Sequence, residues 1–382
     1  MQDVFDKKYT ASFSTSIHFF DYTAHNYIQG ICEDLGMHFV RSFSAEMQDL
    51  MDAQERQNLK DFMENVIYAF KNKVHTSRVF PKLKQTELKY KSDDIVEDIA
   101  DSDNIKLVIL TDTASMSDNL QNMVKRFQAN FSKEPEIIDL TRIKIAGGCL
   151  GCVKCGMDNE CVYDGKDDVR SVYEDKLKKA DIIVFALTMK DRYFSSRWKN
   201  FLDRSFYKTH QPAFPGKQIG YLISGPLLYE PNLRQILLAS AELGQANLVD
   251  IITDECDSSA ELDGSITCFA QKLTRYSKMN VSQPETCLGV GAGKIFRDEI
   301  WGNLRFIFQA DYRYYKNNGM MDFPQSKINT RIMHPFIPLM KLNPIKKQVQ
   351  DRAKDMMHRS HDLIIKKEED KLKEERSAKQ NN

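Results

Sequence analysis

Between residues 105 and 277, short apolar runs take turns with helix-forming stretches, and no other feature narrows the fold as much. The runs are IKLVIL (105–110), PEIIDL (135–140), DIIVFAL (181–187), KQIGYLIS (217–224) and NLVDIIT (247–253). Most are apolar on successive residues, which predicts strands buried on both faces. Helices are expected at about 117–131, 167–180, 195–207, 232–244 and 261–277. In the second of these Val169, Val172, Tyr173 and Leu177 share a face, and Gly244 stops the fourth. Strands alternating with helices predict a parallel sheet covered on both sides. In such sheets ligands sit beyond the C-terminal strand ends, at the point where the strand order reverses.

Five such units predict an α/β, flavodoxin-like, doubly wound five-stranded parallel sheet over 104–280. A second pattern lies in residues 1–73. KKYTASFSTS (7–16) is similar in character to GKQIGYLISG (216–225), and each is followed by a helix ending in Leu-Gly, a short strand and a helix with a matching Phe (Phe62 and Phe269). The offset stays near 207–209. Residues 1–73 are therefore expected to be the back half of a second flavodoxin-like unit. It would pack on the main domain or a partner chain, or the gene product would begin further upstream. Residues 74–103 are polar and read as a linker. Residues 285–382 read as a helical C-terminal extension, with an aromatic helix over 304–319, a Pro-punctuated stretch over 334–347 and a charged tail from 348.

Lys+Arg and Asp+Glu are both 54, so net charge offers no attraction to nucleic acid or an anionic membrane. No apolar run is long enough to span a bilayer, and MQDVFDKKYT has no signal-peptide core. The expected location is the cytoplasm, where thiols stay reduced. In that setting GGCLGCVKCGMDNEC (147–161) stands out. Cys149, Cys152, Cys155 and Cys161 fall within thirteen residues of a chain with eight cysteines. The C-x2-C-x2-C-x5-C spacing suits a compact iron–sulfur nest. Structural zinc usually takes two C-x2-C pairs set further apart. A metal-free or thiol-redox loop is the remaining alternative. Cys32, Cys256, Cys268 and Cys287 lie singly and read as small buried apolar residues.

The stretch GGCLGCVKCGMDNECVYDGKDDV, with KKADIIVFALTM and SSRWKNFLDR, resembles the iron–sulfur flavoprotein branch of the NAD(P)H-dependent FMN reductase family. The resemblance covers about 105–280, and STSIHFFDYTAHNYI resembles a segment of longer members. It implies FMN at the strand ends, a [4Fe-4S] cluster on the four cysteines and NAD(P)H as electron donor. By position it assigns the FMN phosphate to the loop 111–119, through Thr111, Thr113, Ser115, Ser117 and Asn119. The isoalloxazine ring falls to the loop 188–196, with Thr188, Met189, Lys190, Arg192 and Tyr193, and to Ser224, Gly225 and Tyr229. Asp118 replaces the family's usual Gly, and the loop has no basic residue, so Asp112 and Asp118 must turn away from a phosphate. Lys190, Asp191 and Arg192 stand where Pro is usual, and a cation there would stabilise a reduced flavin or hold a nicotinamide phosphate.

Trp198 reads as core, and His18, Asp21 and His25 as helix-start and packing residues. GVGAG (289–293) follows no strand and carries no dinucleotide reading. The expected function is an FMN-dependent oxidoreductase passing electrons to a small-molecule or protein acceptor, as a homo-oligomer, without nucleic acid or membrane. No side-chain catalytic group is assigned. The alternatives are a non-catalytic electron carrier and a flavin-free scaffold of the same fold.

Overall fold

The computed structural model describes residues 2–46, 49–92 and 100–326, and scattered positions between 328 and 376. The chain divides into two units, Met1–Asn318 and Gly319–Asn382. The Pro-punctuated stretch and the charged tail fall largely outside the described residues.

The first unit opens with a short helix, α1 (Gln2–Phe5), and then β1 (Tyr9–Ser16), α2 (Asp21–Asp34), β2 (His38–Glu46) and α3 (Ala53–Lys71). β1 and β2 form a two-stranded parallel sheet. The larger sheet follows as β3 (Leu107–Thr111), α4 (Asp118–Ala129), β4 (Glu136–Asp139), α5 (Val169–Ser171), β5 (Ile182–Thr188), α6 (Ser196–Asp203), β6 (Gln218–Ser224), α7 (Pro231–Leu243), β7 (Asn247–Thr253) and α8 (Ser259–Met279). α9 (Cys287–Trp301) and α10 (Gln309–Asn317) complete it. GVGAG thus lies inside a helix.

The strand order is β4-β3-β5-β6-β7, with every pairing parallel. This is the flavodoxin-like order 2-1-3-4-5, whose switch point lies between the first and third strands of the series. Successive residues face opposite sides, so the apolar runs feed two cores. Leu110, Ile183, Phe185 and Leu187 pack with Tyr173, Trp198 and Phe201. Ile109, Ile182, Val184 and Leu222 pack with Leu120, Phe127, Ile266 and Phe269 of α4 and α8. One expected helix takes another form: after α5 the chain makes a π-helical turn over Val172–Leu177. The four expected face residues are still buried.

The N-terminal βαβα stretch parallels β6–α8 in detail. β1 and β2 slip register between Thr10 and Ser12, and β6 and β7 slip between Ile219 and Gly220. Glu33 and Glu242 occupy matching places near the ends of α2 and α7. Each buried carboxylate accepts backbone N–H groups of the segment that follows: Val79 and Phe80 for Glu33, Thr286 and Gly289 for Glu242.

Residues 74–92 form no helix or strand, yet they are fixed along their length. Arg78 donates to the Glu33 carbonyl at 2.8 Å and pairs with Asp34. Thr86 donates to the Asp254 carbonyl, and the Tyr90 hydroxyl to Asp263. The composition of a linker here belongs to a strap, because polar side chains bond to the domain beneath.

Arg192 ties the N-terminal segment to the larger sheet. Its side chain is 1% exposed and meets Asp34 and Glu230, each at 2.7 Å, and the Pro81 carbonyl. A Cβ at Gly30 would stand 2.5 Å from the Arg192 side chain, so only glycine lets α2 approach so closely. Burial alone would raise the Asp34 carboxyl, but Arg192 and Arg78 hold it below the ordinary range. Its contribution is therefore present above the unfolded value near about 3.9 and fades as pH falls through the lower folded value. Arg192→Met strands the Glu230 carboxylate and should cost about 3–5 kcal/mol in urea unfolding. The double change Arg192→Leu/Glu230→Leu removes both buried charges and should recover most of that loss.

Candidate functional site

The loops after β3, β5 and β6 meet at one edge of the sheet. Ser117, the N-cap of α4, receives Leu120 N–H, and its own N–H donates to Thr188 Oγ1 at 3.1 Å. Its hydroxyl donates to Ser224 Oγ at 2.7 Å, and Ser224 donates to Asp254 at 2.6 Å. Met189 N–H donates to the Ser224 carbonyl. Gly225, at φ +129°, leaves no room for a Cβ, which would fall 2.8 Å from Met189. The residues assigned to FMN in three separate stretches are thus largely neighbours.

Within the first loop the hydroxyls have carboxylate partners. Thr113 donates to Asp139 at 2.7 Å, as does Thr141. Ser115 and Ser195 donate to the buried Asp112 at 2.7 and 2.6 Å, and Arg197 stands 3.7 Å from it. Burial alone would raise the Asp139 carboxyl, but the Thr113 and Thr141 bonds outweigh that and lower it. The Thr111 hydroxyl is buried with no partner among the described residues.

These residues fit a phosphate in a limited way. Asp112 is buried and accepts from Ser115 and Ser195, so it is turned away from the loop's outer face, whereas Asp118 is exposed at the start of α4. Anion sites at helix starts use backbone N–H groups; Thr113 and Ser117 are the accessible hydroxyls near the start of α4, whereas Thr111 and Ser115 are buried. A phosphate must still draw Thr113 away from Asp139.

Two assigned residues serve elsewhere. Asn119 accepts Tyr90 N–H and donates to the Leu88 carbonyl and Asp254, so it holds the strap. Arg192 is enclosed by Asp34 and Glu230 and cannot face a ring. Lys190 is exposed. Tyr193 stacks edge-on to Tyr27 and beside Phe194, and burial pushes its hydroxyl up to about 12. Tyr229 is half-buried at the end of a 3-10 turn. Asp139 and Asp254 were missed by sequence reasoning; the available signal was a carboxylate at or just after a strand's C-terminal end.

The cysteine loop follows β4. Cys149, Cys152, Cys155 and Cys161 line one pocket with Leu150, Val153, Val162, Tyr163, Arg204, Phe206 and Tyr207. Gly151 takes φ +62° and Val153 φ +52°, the latter a costly conformation for a β-branched residue. At Gly156 a Cβ would lie 2.4 Å from the Ile307 carbonyl oxygen. The Asp167-Asp168 pair anchors the loop's start. Asp168 accepts Lys144 N–H at 2.8 Å, and Asp167 accepts Ala146 N–H at 3.0 Å. Arg204 Nη1 donates to Asp167 at 2.7 Å and to the Gly147 carbonyl at 3.1 Å.

Among the described residues, no group of three or more His, Cys, Asp or Glu side chains is arranged to hold a metal ion. Zinc at its usual bond length would hold sulfurs about 3.8 Å apart. The four thiols line a shared pocket that has an apolar wall and one buried cation, whose Nε has no partner among the described residues. Four thiols beside one buried cation are the donor set that a polynuclear anionic unit would require. The lone cysteines are not buried as expected: Cys268 and Cys287 are exposed, and Cys32 and Cys256 are intermediate. Trp198 is fully buried, and His25 bonds Ser12 and Ser14.

No family model matches the chain, and no curated protein matches it. Solved structures do. RosB with bound intermediate OHC-RP (8-demethyl-8-formylriboflavin-5'-phosphate) is 14% identical over 46% of this chain and 79% of its own, with TM-score 0.33. Oxidised flavodoxin 1 from Bacillus cereus is 16% identical over 45% of this chain and 98% of its own, with TM-score 0.31. The NAD(P)H:quinone oxidoreductase from Methanothermobacter marburgensis is 13% identical over 46% of this chain and 97% of its own, with TM-score 0.34. The fold rests on the strand order above, and likenesses of this size add nothing on function.

Burial, with the neighbouring thiols, pushes Cys155 up to about 11. At pH 8 only about one molecule in a thousand then carries the reactive thiolate. In metal-free protein, iodoacetamide mapped by mass spectrometry should modify the exposed Cys149 and Cys152 first and Cys155 last. Equal labelling of Cys155 and Cys149 would show that Cys155 is not buried.

Proposed function

We propose that this chain is an FMN-dependent oxidoreductase that passes electrons from NAD(P)H or a reduced carrier, through flavin and a [4Fe-4S] cluster, to a small-molecule or protein acceptor. The observation that carries the reading is the convergence of four cysteines and a buried arginine on one pocket. Their loop springs from the same strand edge where the β3, β5 and β6 loops meet. FMN when bound exchanges two electrons or one, and an iron–sulfur cluster exchanges one. The chain's own residues bind and orient. Thr113 and Ser117 offer hydroxyls to a phosphate, and the start of α4 offers N–H groups. Gly225 lets backbone approach Met189 closely at the ring end. Arg197 bridges the two regions, meeting Asp112 and donating to the Leu140 carbonyl just before the cysteine loop. A reducing compartment such as the cytoplasm suits the open thiols.

A second reading is a flavin-free electron carrier of the same fold. The bonding of Thr113 and Ser115 to Asp139 and Asp112 favours it, because those donors are already satisfied.

Anaerobic purification with a visible spectrum and iron and flavin counts tests both. The leading reading expects flavin bands, about four irons per chain and steady NAD(P)H oxidation. Iron without flavin or turnover leaves the carrier, and a colourless protein removes both readings. Asp139→Asn takes a negative charge from beside Thr113. It should tighten FMN binding, followed by fluorescence quenching, by roughly tenfold, about 1.4 kcal/mol. Unchanged affinity would mean that the phosphate does not sit at this loop.

A further inference from the structure

We propose that Arg204 is the positioning residue of the cysteine pocket, its Nε–H held in place to donate to the Cys161 thiolate of a bound iron–sulfur cluster. This rests on the reading that the four cysteines hold such a cluster.

Arg204 begins the 3-10 turn Arg204–Lys208 that follows α6, and its side chain is 3% exposed. Four of its five N–H donors belong to the two terminal nitrogens. Those nitrogens meet both oxygens of Asp167, at 2.7 and 3.2 Å, and the Gly147 carbonyl at 3.1 Å. Asp167 is itself enclosed and also accepts Ala146 N–H. The guanidinium lies 4.1 Å over the Tyr163 ring. Fork, carbonyl and ring together leave little freedom to rotate. The fifth donor, Nε–H, is buried and has no hydrogen-bond partner among the described residues.

An unmade bond at a buried charged donor is costly, so such an atom calls for an explanation. Arg204 and Cys161 line the same pocket, and the guanidinium stands beside that sulfur. A neutral thiol is a weak acceptor, whereas a cluster thiolate is a strong one. The bond forms fully only when the cysteine is ionised and ligated. A hydrogen bond and a positive charge at a ligating sulfur favour the more negative, reduced cluster, and so raise its potential. Lysine would keep the charge but lacks the planar fork that meets Asp167 and Cys161 at once.

The test compares anaerobically purified full-length protein with Arg204→Lys and with Arg204→Met/Asp167→Leu. The double variant avoids leaving a lone buried carboxylate. Circular dichroism checks the fold, iron analysis counts the metal, and an electron paramagnetic resonance redox titration follows the reduced cluster. Both variants should bind iron yet show at least a tenfold lower ratio of reduced to oxidised cluster at the wild-type midpoint. That is a shift of about 59 mV to lower potential for one electron. Iron-loaded variants with the wild-type midpoint would overturn the role of Arg204 while the cluster reading stands. Iron-free wild-type protein would instead remove the cluster reading itself.

Discussion

The ion pair between Arg204 and Asp167 joins three parts of the molecule that have no regular structure in common. Arg204 ends the helix that follows β5, Asp167 precedes the π-helical turn, and the Gly147 carbonyl lies where the cysteine loop begins. With side chains 3% and 1% exposed, both charges have given up water, so neither tolerates the loss of the other. Such a pair adds little net stability, but it allows few alternatives. A long segment whose only regular structure among the described residues is short 3-10 turns is thereby fixed at its root. The far side is fixed from the C-terminal helices, where Ile307 closes on Gly156 and Arg313 donates to the Met157 carbonyl at 2.6 Å.

The sheet edge shows a different balance. Hydroxyls from three loops share a set of carboxylates, and Asp254 collects Ser224, Asn119 and the Gly225 N–H. Most of this network is satisfied without a ligand, the Thr111 hydroxyl and one Asp112 oxygen excepted among the described residues. Any anion admitted there competes with acceptors already in place, so ligand affinity and apo-state order draw on the same donors.

Much of this was legible in the sequence. Buried parallel strands are continuous apolar runs, and all five strands lie where those runs fall. The cysteine spacing led to one pocket, and two of the stretches that carry the resemblance, GGCLGCVKCGMDNECVYDGKDDV and SSRWKNFLDR, prove to touch through Asp167 and Arg204. What failed was partner assignment. Asn119 and Arg192 occupy loops that face a ligand edge in pattern, but their true partners come from residues 88–90 and from Asp34 and Glu230. A loop's composition reports that its side chains need polar company and is silent on which distant segment supplies it. The π-helical turn was hidden for a related reason. It keeps Val172, Tyr173 and Leu177 buried, so its apolar pattern looks like that of an ordinary helix.

The Arg192 junction also sets an order of events during synthesis. Asp34 and Arg192 are 158 positions apart, and Thr23 and Asn232, joined by a hydrogen bond from the asparagine side chain, are 209 apart. At ribosomal rates of about 5–20 residues per second, α2 waits on the order of ten to forty seconds for those partners to be made. Through that interval Asp34 is an ordinary hydrated carboxylate, and Gly30 leaves a gap on α2 with nothing to fill it. The N-terminal segment is the first part of this sequence to be translated and among the last to find its place.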